Sequence, residues 1–105
     1  MKITRFEDID AWKEARELVQ RIYQVSENGG LAKDFGLRDQ MRRAGVSVMA
    51  NVAEGFDSQS DSEFIQFLIY ARRSESEVQS HLYVAIDQAI SHSRGLTIST
   101  IGQWQ

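Results

Sequence analysis

Apolar residues recur along this chain at helical spacing, most densely in residues 36–56, GLRDQMRRAGVSVMANVAEGF. At ~100° per residue, Leu37, Met41, Ala44, Val48 and Val52 form one apolar stripe. A second stripe, Val46, Met49, Ala50, Ala53 and Phe56, runs on the opposite side. Between them a polar line, Arg43, Ser47, Asn51 and Glu54, stacks at steps of four, four and three. A helix apolar on two sides is normally covered on both, by its own bundle and by another subunit. The second stripe is therefore the expected oligomer interface.

The flanking segments read as two further helices. In residues 8–26, Ala11, Trp12, Ala15, Leu18, Val19, Ile22, Tyr23 and Val25 share one broad face, with Asp10, Lys13, Glu14, Glu17, Gln20, Arg21 and Gln24 opposite. Its start is set either by Thr4 with Glu7 in a capping box or by Asp8 as a cap. Gly29 and Gly30 are expected to end it by supplying left-handed backbone. The glycine pair is better read as a turn than as a phosphate loop, since no Lys-Ser/Thr follows and no strand precedes. Ser60 with Glu63 is a capping-box signature for a third helix, expected over residues 61–90 and ~45 Å long. Phe64, Leu68, Ala71, Glu75, Val78, Leu82, Ala85 and Ala89 form its packing seam, interrupted by Glu75. A second polar line, Tyr70, Ser74, Glu77 and His81, follows the same helix.

Residues 91–105, SHSRGLTISTIGQWQ, lack a helical period and are too short to match the other three helices. The expectation is an all-α, up-down helical bundle of three long antiparallel helices with a short or truncated fourth segment. Residues 1–90 form the bundle, and residues 91–105 are a short tail of the same domain. Three such helices lack an internal partner, so either the tail covers the groove, anchored by Trp104, or another subunit does.

Composition narrows the chemistry. At 105 residues the chain is one domain of a size at which association helps stability, and the absence of proline suits long helices. With no cysteine there is no thiolate nucleophile or zinc–thiolate site, and no segment approaches a membrane span. A cytoplasmic location is expected. The net charge of -3 gives no global attraction to phosphate, so nucleic-acid binding needs a local basic patch. Arg38, Arg42, Arg72 and Arg73, with Arg43, are the candidates for RNA or DNA contact, although no helix-turn-helix or aromatic-interleaved basic element accompanies them. Arg38, at a helix start, opposes the macrodipole and needs a compensating partner.

Two readings compete for the polar lines. One is a binding groove with Arg43 on an anion and Glu54 or Glu77 as a base. The other, which we prefer, is a structural network of Arg43, Ser47, Asn51, Glu54, Ser74, Glu77 and His81 that fixes helix register, with Arg43 paired to Glu54 or Glu77. Glu77 and His81 could present two metal ligands, but no second Glu-x-x-His accompanies them, and His92 lies past the helix. No metal, cofactor or catalytic residue is expected, because no nucleophile–base pair, ligand set or glycine-rich loop is visible.

The segments FEDIDAWKEARELV, QMRRAGVSVMANVAEGF and SEFIQFLIYARRSESEV resemble the small bacterial four-helix bundle proteins known as 23S rRNA intervening sequence proteins. The likeness runs from Phe6 to Ala89 and is strongest at Arg42, Arg43, Ala44, Ser47, Asn51, Ala53, Glu54 and Gly55. It implies an up-down bundle that assembles into a homo-oligomeric ring, typically a pentamer, and supplies no enzymatic activity. Some relatives are encoded within intervening sequences of ribosomal RNA genes, and a related accessory protein of diversity-generating retroelements binds nucleic acid. The chain departs from the family pattern at Met49, where proline is frequent, at Glu75, where an apolar residue is usual, and in its short tail. The function expected is a non-enzymatic, self-assembling bundle, with an RNA- or DNA-binding accessory module as the alternative.

Overall fold

The computed structural model describes residues 2–88, which form a 3-10 turn at Phe6–Asp8 and four helices: α1 (Asp10–Ser26), α2 (Gly29–Lys33), α3 (Phe35–Phe56) and α4 (Asp61–Asp87). Among the described residues there is no strand. The tail, with Trp104, lies outside the described residues, as does Ala89. No helix among the described residues is long and apolar enough to cross a membrane.

Local chemistry sets the helix ends. The Asp34 side chain accepts from Leu37 N at 3.1 Å, opening α3 with a carboxylate where the helix dipole favours one. Ser60 Oγ likewise accepts from Glu63 N at 3.2 Å to open α4, as the capping-box signature requires. The returning bond differs by one residue, since Glu63 Oε1 accepts from Gln59 N rather than from Ser60 N. At the start of α1 neither Thr4 nor Asp8 caps. Ile9 occupies the cap position without a side-chain bond, and the 3-10 turn leads the chain in.

The glycine pair departs from its expected role. Gly29 has φ 60°, but it begins the five-residue helix α2 instead of only closing α1. Leu31 explains the difference: it is fully buried, so one helical turn is held in place by tertiary packing that its weak local propensity could not supply.

α3 is the element on which the rest is assembled, packing against both α1 and α4, more extensively against α4. Two glycines permit close approach. A Cβ on Gly45 would stand 2.7 Å from Ile22 Cδ1 of α1, and one on Gly55 would stand 2.9 Å from Phe67 Cβ of α4. The core divides into two clusters. In the closed half, where α2 packs, Leu18, Ile22, Val25, Leu31, Met41, Ala44, Val78 and Leu82 come together. Burial of each large aliphatic among them contributes about 1.5–3 kcal/mol. In the open half Ala15, Val48, Val52 and Ala71 form a thinner cluster, flanked by Ile9, Trp12 and Met49. The Trp12 ring meets Phe6 edge-on at 5.3 Å, and the Arg16 guanidinium lies 5.9 Å from its centroid.

Only one of the two apolar stripes on α3 is buried within the chain. Met41, Ala44, Val48 and Val52 are buried, with Leu37 packed beside them. On the second stripe Val46 is 45 % exposed and Ala50 is exposed, while Met49, Ala53 and Phe56 are half-buried. The cause is geometric. α1 and α4 both dock on the side of α3 that carries Gly45 and Gly55, leaving the outer sector uncovered. On α4 the expected seam also breaks at Leu68, which is 38 % exposed, while Glu75 is buried and engaged.

Candidate functional site

The polar lines meet through three residues. Ser74 Oγ of α4 donates to Ser47 Oγ of α3 at 2.9 Å, and Asn51 Nδ2 donates to Ser47 Oγ at 3.0 Å and to the Ser47 carbonyl at 2.8 Å. The Ser74–Ser47 bond crosses between helices, so it fixes their register in addition to satisfying half-buried hydroxyls. No histidine or carboxylate is hydrogen-bonded to either hydroxyl among the described residues.

Glu77 and His81 form a separate pair, with Oε2 3.5 Å from Nε2 but outside hydrogen-bonding geometry. His81 Nε2 is buried without a hydrogen-bond partner among the described residues. No group of three or more His, Cys, Asp or Glu able to hold a metal occurs among the described residues. Tyr70, the first residue of the same line, is exposed at 41 %.

Arg43 and Glu54 stand outside this network, which corrects the expected pairing of Arg43 with Glu54 or Glu77. Both are exposed, and neither makes a bond to another described residue. Eleven residues of one helix separate them, ~16.5 Å along the axis, and both point further outward than Ser47 and Asn51.

A groove of about 320 Å³ opens between α1 and α4 over the thin half of the core. Val48 and Val52 floor it, Ala11 and Glu14 rim it on α1, and Leu68 and Arg72 on α4. Beside it, Ile65 and Ile69 extend the apolar surface of α4, exposed at 56 % and 40 %.

With this helical arrangement in view, one family model matches residues 7–96, that of the 23S rRNA-intervening sequence protein. The chain belongs to the 23S rRNA-intervening sequence protein family. No curated protein matches it.

In this family member the arginines singled out for nucleic acid are divided among different surroundings. Arg38 Nε contacts Asp39 Oδ1 at 3.0 Å, its Nη1 donates to the Ala32 carbonyl at 3.3 Å, and its guanidinium lies 4.8 Å from the Phe35 ring. Asp39 is thus the compensating acid that a cation at a helix start requires. Arg42 Nε donates to Ser26 Oγ at 2.8 Å, and its guanidinium covers the Tyr23 ring at 4.4 Å, tying α3 to α1. Ser26 is fully buried, so this bond satisfies a hydroxyl taken out of water. Arg72 faces the groove, while the exposed Arg73 lies ~100° around α4 from it. Arg42 and Arg43 line a different, shallow depression with Tyr23, Asp39 and Val46.

Proposed function

We propose that this family member is a non-enzymatic cytoplasmic bundle that acts through self-association, in the closed ring, a pentamer, that the family resemblance implies. The observation that carries the reading is the uncovered apolar surface of α4, where Ile65, Leu68 and Ile69 are exposed beside the groove over Val48 and Val52. Three large aliphatics side by side, at the edge of a groove whose lining mixes Val48, Val52, Leu68 and Ala71 with Glu14, Arg72 and Glu75, mark an association surface more often than a solvated one. The test is mass in solution, by native mass spectrometry or sedimentation. The wild-type chain is expected as a ring-sized species, and Ile65→Asp with Ile69→Asp should abolish that mass while leaving helicity intact. A wild-type chain that stays monomeric at tens of micromolar would remove the proposal.

An RNA- or DNA-binding accessory role has narrower support. Arg43 and Arg73 are exposed, as is Arg72 at the groove rim, but Arg38 and Arg42 are engaged within the chain. Phosphate-driven binding would weaken steeply between low and moderate salt and would fall on Arg72→Ala with Arg73→Ala. No binding at low salt ends that reading.

A further inference from the structure

We infer that the outer face of α3 is a self-complementary contact. Two copies lay these helices antiparallel, Arg43 of each opposite Glu54 of the other, with Val46, Ala50 and Ala53 between. All five side chains fall within a sector of ~100° on α3, where Arg43, Val46, Ala50 and Glu54 are exposed and Ala53 is half-buried. Val46 is 45 % exposed, and Arg43 and Glu54 have no partner among the described residues. Neither can reach the other within one chain, because they sit ~16.5 Å apart on a rigid helix. The acid nearest Arg43 in sequence, Asp39, is held by Arg38.

The order of charges selects the orientation. In-register parallel helices would place Arg43 against Arg43 and Glu54 against Glu54, whereas the antiparallel arrangement satisfies two ion pairs at once. Alanines at positions 50 and 53 let the helix axes approach to the ~8 Å end of the packing range. Such a contact is twofold and closes at two copies, while a ring needs a head-to-tail contact made by another surface. The α3 contact therefore rests on the reading that this chain self-associates, but it uses a face distinct from the Ile65, Leu68 and Ile69 surface.

The experiment uses the full chain carrying Ile65→Asp and Ile69→Asp, in which the ring contact is removed and the α3 contact remains. Sedimentation equilibrium is expected to show a dimer. Arg43→Glu or Glu54→Arg alone should raise its Kd by about tenfold or more by setting like charges opposite each other, and the two together should restore it to within about threefold. Because the chain has no cysteine, Ala50→Cys gives a second reading. Position 50 lies 1.5 residues from the midpoint of Arg43 and Glu54, so twin positions are offset only ~4.5 Å along the axes, within disulfide reach. Ala50→Cys should cross-link on mild oxidation, and Glu17→Cys, on the solvent side of α1, should not. A monomer in this background, single substitutions without effect, or a double variant no better than the singles would overturn the α3 contact. A ring formed by the wild-type chain would still stand in each of those cases.

Discussion

The two halves of the bundle use the same three long helices but different side-chain sizes. In the closed half Leu18, Ile22, Leu31, Met41 and Leu82 are fully buried, and α2 stops the end like a lid. The open half is lined by Ala15, Val48, Val52 and Ala71, and a groove stands above it. Large interlocking side chains make one half self-sufficient. Small ones leave a groove between α1 and α4 in the other, with aliphatic residues such as Ile65 exposed beside it. The difference teaches that helices of one bundle can interlock at one end while leaving large aliphatics and a groove open at the other.

Substitutions can break or sharpen that contrast. The largest effect is expected for Leu82→Ala, a loss of about 2–5 kcal/mol in urea denaturation, because the rigid closed half cannot collapse around the cavity. Next is Gly55→Ala, roughly 1–3 kcal/mol, since the new methyl meets Phe67 Cβ, which is fixed to the backbone. Gly45→Ala should be nearly neutral in thermal melts. Ile22 Cδ1 is the far end of a flexible side chain, and the gain of up to about 1 kcal/mol in helix propensity offsets its displacement. Val52→Ala in the open half should cost only about 1.6 kcal/mol at ~0.8 per methyl group. If it costs as much as Leu82→Ala, the two halves do not differ in the way described. A smaller loss than for Val52→Ala is expected for Ser74→Ala, about 0.5–1.5 kcal/mol by denaturation, because Ser47 keeps its bond from Asn51; only Gly45→Ala should change stability less.

Much of this architecture was legible in the residue pattern. The stripe from Leu37 to Val52 marks the buried side of α3, and Ser60 with Glu63 marks the start of α4. Periodicity reports which residues share a face but not what covers it, so it marks the stripe through Val46 and Ala50 as an expected interface with another copy without naming the surface that meets it. α2 was missed because GGLAK has turn composition and is held by one buried leucine, a tertiary effect without a local signal. Of the candidate polar residues, Ser47, Asn51 and Ser74 meet because they lie at the α3–α4 seam. Arg43 and Glu54 share the helical line but lie further round, and spacing alone does not distinguish them. Asp34 as the cap of α3 was readable in principle, since an Asp three residues before Leu37 is a known start signal.

Trp12 gives the open half an optical voice. Its indole packs against Phe6 and the thin core cluster and is only partly shielded, so its emission maximum responds to whatever covers or uncovers that end of the bundle. With the second tryptophan replaced, Trp104→Phe, a single tryptophan remains in the chain. A concentration-dependent blue shift of its emission would then report a neighbour covering the flank of the open half where Trp12 meets Phe6 and Met49, without any added label.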